Sequence, residues 1–208
     1  TPTPTSVPAN TCTGGASLVG CWKFDENGGT AALDSSGQGN NGTLVNGPTW
    51  APGISGSALQ FSVSSSSYVN VPDSSTLDIG TADFTLAAWI NRSGIAAPTG
   101  NATIMSKTAL STNPGYWLGL SNDGHLNFQL IRPNGGVVVG LSTTAVASGG
   151  WHHVAVTAQR TGSATFFIDG IPTGTVDISA YGGDISNIRP FRIGRSESFA
   201  NQFDGVID

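Results

Sequence analysis

Two glutamates, Glu26 and Glu197, and eleven aspartates supply nearly all the acid–base chemistry open to this 208-residue chain. Glycoside hydrolysis asks two carboxylates to face each other across a cleft, about 5–10 Å apart. The two glutamates are distant in sequence, and no Glu-x-Asp-x-x-Glu strand motif brings a pair together. Nucleophilic catalysis also lacks its parts: there is no Gly-x-Ser-x-Gly elbow, and the only thiols are Cys12 and Cys21. Of the three histidines, His152 and His153 are adjacent and His125 lies well upstream. Neighbours on an extended strand point to opposite faces, so His152 and His153 are not expected to share a metal or act as a pair. The expectation is a protein that is not an enzyme.

The aspartates gather instead in oxygen-rich loops: Asp25-Glu-Asn-Gly-Gly29, then Asp34-Ser-Ser-Gly-Gln-Gly-Asn-Asn-Gly-Thr43, and Asp204-Gly-Val-Ile-Asp208. Calcium takes six to eight oxygens at about 2.3–2.6 Å, mixing carboxylates with carbonyls from glycine-rich turns. The same residues equally form Asx-turns, in which Asp and Asn bond their own backbone. The residues alone leave both readings open.

Cys12 and Cys21 have no histidine or further cysteine near them to complete a metal site. They are expected to form a disulfide that ties the N-terminal arm to the first strand, which implies an oxidising compartment. The arm itself, Thr1-Pro-Thr-Pro-Thr-Ser-Val-Pro8, has an extended linker or stalk composition. Residues 1–16 are therefore set apart from a single domain over 17–208. Asn-x-Ser/Thr triplets at Asn41, Asn91 and Asn101 are glycan acceptors only where the source glycosylates.

From residue 17 onward the chain alternates apolar and polar residues in short runs cut by Gly, Asn, Ser and Pro, with almost no helical period. Leu18–Asp25 puts Leu18, Trp22 and Phe24 on one face and Cys21, Lys23 and Asp25 on the other. Further strands are expected over 58–61, 68–71, 84–90, 102–107, 116–121, 125–130, 137–141, 151–159, 164–168, 191–193 and 205–208. Asn122-Asp-Gly124 and Asp169-Gly170 read as hairpin turns. About a dozen short strands without intervening helices predict an all-β, two-sheet antiparallel sandwich. With 38% hydrophobic residues a real core is available. The net charge of −5 speaks against nucleic acid, which needs a cationic surface. No apolar run approaches the roughly 20 residues of a membrane helix.

Aromatic rings divide into two expected groups. Trp22, Trp89 and Trp151 fall within strand patterns and are assigned to the core. Trp50, Tyr116, Trp117, Tyr181 and Phe199 lie outside the strongest core motifs and are the candidates for a ligand surface.

The ordered series Leu18-Val-Gly-Cys-Trp-Lys-Phe-Asp25, Asp34-Ser-Ser-Gly-Gln-Gly-Asn-Asn-Gly-Thr43, Gly56-Ser-Ala-Leu-Gln-Phe61, Tyr68-Val-Asn-Val-Pro72, Phe84-Thr-Leu-Ala-Ala-Trp-Ile90, Trp151-His-His-Val-Ala-Val156, Phe167-Ile-Asp-Gly170 and Phe191-Arg-Ile-Gly194 resembles the laminin-G-like, concanavalin A-like jelly-roll family. The resemblance covers about Ser17 to Asp208 and implies a jelly roll. It also implies a structural calcium near the meeting of the first and last strands. Matched position by position, the ligands would be Asp25, backbone oxygens of Asn40, Asn41 and Gly42, and Asp208. Asp34 stays a turn residue. Members of the family usually continue past Ile-Asp with a further strand segment. This chain's end at Asp208 is therefore expected to reflect a fragment truncated within its last strand, the alternative being an edge completed by a partner, as in self-assembly.

The family spans glycan-binding modules, adhesion domains and structural components. The expected function is a non-catalytic extracellular binding or adhesion module, secreted or on the cell surface, that takes a glycan or an extracellular protein and is stabilised by calcium. A structural or assembly domain without a sugar ligand is the alternative.

Overall fold

The computed structural model describes residues 12, 15–93, 100–109, 113–197 and 201–208. Fifteen strands run in chain order among them: β1 Ala31–Ala32, β2 Gly42–Val45, β3 Thr49–Pro52, β4 Ser57–Phe61, β5 Tyr68–Val71, β6 Phe84–Arg92, β7 Ala102–Lys107, β8 Gly115–Leu120, β9 His125–Ile131, β10 Val137–Ala145, β11 His152–Ala158, β12 Ser163–Ile168, β13 Ile171–Asp177, β14 Phe191–Ile193 and β15 Gly205–Ile207. Three single-turn 3-10 segments, at Gly15–Ser17, Ser75–Leu77 and Ser179–Tyr181, are the helical content. Among the described residues no helix is long and apolar enough to cross a membrane.

The strands form two antiparallel sheets. One has the order β1-β2-β5-β14-β7-β8-β9-β10 and the other β13-β12-β11-β6-β15-β4-β3. Hairpin-connected neighbours such as β7-β8-β9-β10 and β11-β12-β13 alternate with strands brought in from far along the chain, β14 between β5 and β7 and β15 between β6 and β4. This is the jelly-roll sandwich expected from the sequence. The core lies between the sheets, where Phe61, Ile90, Ile104, Leu118, Phe128, Val156, Phe166 and Phe203 are fully buried. Strand β6 illustrates the physical basis. Leu86, Ala88 and Ile90 turn inward, and Thr85 and Ala87 face solvent.

That alternation corrects one assignment. Trp89 follows Ala88 on the opposite face, so it lies outside the core, half-buried, with its ring edge-on to His153 at 5.2 Å. Trp151 is likewise only half-buried. Trp22 does pack on the core, stacked on Phe191 with centroids 5.1 Å apart.

Leu18–Asp25 does not form the expected strand. Its only ladder contact is the isolated bridge of Trp22 to Asp34. Phe24 adopts φ +52, in the left-handed region, which ends extended geometry before Asp25. The disulfide between Cys12 and Cys21 is present and fixes this segment to the arm.

One side of β6 is incompletely paired. β15 covers Ile90, Asn91 and Arg92, and Asp208 exchanges both main-chain hydrogen bonds with Trp89. By the two-residue period Thr85 and Ala87 turn their N–H and C=O groups to that same side. No strand pairs with them there among the described residues.

Candidate functional site

The carboxylates proposed as ligands fall into two separate places. The first is the loop after Trp22, organised by Asp34. Its Oδ1 accepts from the backbone N–H groups of Cys21 and Ser36, both at 2.9 Å. Its Oδ2 accepts from Ser36 Oγ at 2.7 Å and from the Asn40 N–H at 2.9 Å. Partial burial pushes the Asp34 carboxyl up, but these bonds outweigh it and hold it below its ordinary value. Asn41 Oδ1 accepts in turn from the Asp34 N–H at 2.8 Å. The Asn40 carbonyl takes the Trp22 indole N–H at 2.8 Å, and its side-chain amide donates to Val19 O and Thr76 Oγ1. Gly42 lies in β2, where a Cβ would run into Val69. This is the Asx-turn arrangement, with Asp34 as its hub.

The second place is the hairpin between β3 and β4. Asp208 Oδ2 accepts from the N–H groups of Ile54 and Ser55, at 2.9 and 3.3 Å. Asp25 Oδ1 accepts from the Ser57 N–H at 3.2 Å, and Ser57 Oγ donates to Phe24 O at 2.5 Å. Gly56, at φ +74, admits the Asp25 carboxylate against its backbone, a position that a Cβ would fill. So Asp25 and Asp208 meet one turn from opposite ends of the chain, while Asn40, Asn41 and Gly42 belong to the Asp34 loop. In that loop the Asn40 backbone carbonyl already accepts from the Trp22 indole N–H, whereas the hydrogen bond at Asn41 is made by its side-chain Oδ1 and not by the backbone oxygen assigned as a ligand. No group of three or more His, Cys, Asp or Glu placed to hold a metal occurs among the described residues.

Beside this turn lies an open cleft of about 540 Å³ lined by Asp25, Asn27, Trp50, Ala51, Pro52, Gly56 and Ser57. Strand β3, at the sheet edge, supplies Trp50, whose partner across the ladder is Leu59. The indole is half-buried, packs against the core and donates to Gly29 O at 3.4 Å. The cleft thus joins an aromatic flank to a carboxylate held by a backbone hydrogen bond, the pairing of apolar face and oriented polar group that a small polar ligand uses.

The other ring candidates are distributed elsewhere. Trp117 is fully buried, its indole N–H donating to Thr103 Oγ1 at 2.9 Å, and its ring lies over Gly119, where a Cβ would meet it. Tyr116 is buried too, and its hydroxyl donates to Leu77 O at 3.2 Å. Burial, with Asp78 adding to it, pushes that hydroxyl far above its ordinary value and keeps it protonated. Both leave the set of ligand platforms: β7 and β8 sit in the middle of the larger sheet and are buried on both faces. Tyr181 is half-buried, follows β13 at the opposite edge of the smaller sheet from Trp50, and carries the Arg132 guanidinium 4.4 Å from its ring centroid. Phe199 lies outside the described residues.

Glu26 and Glu197 are engaged separately, Glu26 Oε1 accepting from the Leu33 N–H and Glu197 pairing with Arg189. His152 Nδ1 and Asp169 Oδ2 are 2.7 Å apart, and Asp169 Oδ1 accepts from the His153 N–H, so Asp169 ties the β12–β13 turn to the start of β11. Sequence reasoning placed Trp89 in the core and passed over Arg192 and Arg195. The outward parity of Trp89 on β6 and of Arg192 on β14 was the available signal.

No curated protein sequence matches the chain. Among solved structures, the binding domain of Paraclostridial Mosquitocidal Protein 1 superposes with a TM-score of 0.71 at 16% identity, over 89% of this chain and 48% of that one. Domain 4 of AbnA, a GH43 extracellular arabinanase from Geobacillus stearothermophilus solved in complex with arabinotriose, gives 0.67 at 19% identity, over 90% and 87%. The binding domain of botulinum neurotoxin DC, solved in complex with rat synaptotagmin II, gives 0.66 at 14% identity, over 91% and 47%. The chain therefore spans about half the length of those two toxin chains. At such identities the likeness is one of fold, a fold these proteins use in domains that bind. Residues 63–208 match the family Laminin_G_3 of the concanavalin A-like lectin/glucanases superfamily, and the chain belongs to that family.

Proposed function

We propose that this domain is a non-catalytic, extracellular carbohydrate-binding module whose sugar enters the cleft between Trp50 and the Asp25 turn. The observation that carries the reading is the cleft itself, with an indole flank and an Asp25 carboxylate that keeps Oδ2 without a hydrogen bond among the described residues. The disulfide supports an oxidising, extracellular setting. The bound arabinotriose of the AbnA domain supports a saccharide as ligand class on this fold. In isothermal titration against an oligosaccharide that binds the wild-type domain, Trp50→Ala is expected to weaken affinity at least about tenfold. Tyr181→Ala, at the opposite sheet edge, is expected to change it less than about twofold. Equal affinity of wild type and Trp50→Ala would remove the cleft as the sugar site.

Calcium enters the proposal only as a stabilising ion at the hairpin where Asp25 and Asp208 meet. A metal that binds the folded state alone raises the melting temperature. The expected result is a higher melting temperature in millimolar calcium than in chelator, with the difference lost in Asp25→Asn. Identical melts would withdraw calcium.

A further inference from the structure

Six arginines and two lysines are the whole complement of basic side chains in a chain of net charge −5. Several of them are matched locally. Lys107 lies between Asp73 and Asp78, and Arg189 pairs with Glu197. Buried Arg160 spends its guanidinium on the carbonyls of Gly80, Tyr181 and Gly183, with Asp83 and Asp184 nearby.

Arg192 and Arg195 are placed differently. Their guanidinium carbons lie 4.6 and 5.9 Å from the centroid of one ring, that of Tyr68. Two positive charges are thus collected at one aromatic face system, and neither pairs with a carboxylate among the described residues. Arg192 is in cross-strand register with Asn70 on β5 and Ser106 on β7. Its Nε donates to Asn70 Oδ1 at 3.3 Å, and no further hydrogen bond engages the two terminal nitrogens of its fork among the described residues. Arg195 forms an isolated antiparallel backbone bridge with Gln202, outside the named strands. Arg195 Nε and Gln202 Oε1 are both buried without a hydrogen-bond partner, while the Gln202 amide donates to Ser67 O, one residue before Tyr68, at 2.6 Å.

Like charges held together without a counterion repel, and a buried donor left unpaired is costly. A ring that attracts each guanidinium through its π face offsets part of this and fixes their positions. What relieves the rest is an oxyanion, and the planar fork of arginine matches a carboxylate in two parallel bonds. The net negative charge of the chain repels polyanions at long range, which favours a ligand with one isolated charge over a densely sulfated polymer. We infer that Tyr68, Arg192 and Arg195 bind the carboxylate of an acidic sugar residue. The inference rests on the carbohydrate-binding reading above and adds to it a second site, on β5 and β14 of the larger sheet and apart from the Trp50 cleft, for an acidic residue of the glycan.

The test compares matched oligosaccharides that end in a neutral sugar, a uronic acid or a sialic acid, titrated into wild type, Arg192→Gln, Arg195→Gln and Arg195→Lys, each first confirmed as folded by its melt. Wild type is expected to bind the acidic ligands at least about tenfold more tightly than the neutral ones. Arg192→Gln and Arg195→Gln are expected to lose that preference, and Arg195→Lys to keep part of it. Equal binding of acidic and neutral ligands, a preference that survives Arg192→Gln, or a sulfated polymer that outcompetes both carboxylates would overturn the assignment. Melts in free glucuronate separate this failure from that of the carbohydrate reading. Neutral oligosaccharide binding with no glucuronate effect sinks the anion site alone. A melting temperature raised by glucuronate in wild type but not in Arg192→Gln, with no oligosaccharide bound, upholds the anion site and sinks the carbohydrate reading.

Discussion

Lys107→Met is expected to destabilise the domain by about 3–5 kcal/mol, the range for removing one partner of a buried charge cluster. The Lys107 side chain has no exposed surface, and its ammonium spends its donors on Asp73 Oδ1 at 2.6 Å, Asn187 O at 2.7 Å and Arg189 O at 3.0 Å. Asp78 stands 3.2 Å away as a second counter-charge. Methionine fills the stem but leaves two carbonyls and two carboxylates without their common donor. Asp73 and Asp78 are partly exposed and regain water, which places the expected loss at the lower end of the range. Strand β7 is joined through this group to the segments that flank β5 and β14, so the effect is on the whole fold. For a domain of this size the melting temperature is expected to fall by about 6–12 °C. A fall of less than about 3 °C would show that the cluster contributes little.

Asp34→Ala is the second large effect, expected at about 2–3 kcal/mol. Alanine orphans the N–H groups of Cys21, Ser36 and Asn40 at once, and with them the link between the disulfide-bearing segment and the loop that leads to β2. Exposure of part of the loop to water keeps the figure below the sum of separate losses. The pH dependence follows from the direction of the shift. The folded-state carboxyl lies below its unfolded value, so its contribution is fully present above the unfolded value of about 4 and is lost as pH falls through the folded one. Denaturant titrations should give a constant difference between wild type and Asp34→Ala above about pH 5, shrinking below about pH 4. A difference that grows on acidification would contradict the role given to Asp34.

The strand pattern was legible where an apolar run had no breaker inside it. Tyr68–Val71, Ala102–Lys107 and Phe191–Ile193 appear residue for residue, and the other central strands differ only at their ends. What sequence reading passed over are the peripheral strands. Ile171–Asp177 contains Pro172 and Gly174, and Thr49–Pro52 ends in proline; both stand at sheet edges, where a missing ladder donor is tolerated. The candidate site was less legible. Asp25 and Asp208 do reach one turn, but Asn40 and Asn41 look the same in sequence whether they face a metal or close an Asx-turn. Their hydrogen-bond partners, Trp22 and Asp34, are tertiary contacts that the sequence does not display. Tyr116 and Trp117 sit in a glycine-flanked strand whose outer face is covered, a circumstance that alternation alone does not reveal.

The most direct test of the account is a glycan array probed with the wild-type domain, in millimolar calcium and in chelator. The account predicts retention on a defined set of glycans, weakened when Trp50→Ala is substituted for the wild type. Retention on no glycan in either condition, from a domain shown to be folded by its melt, would contradict it.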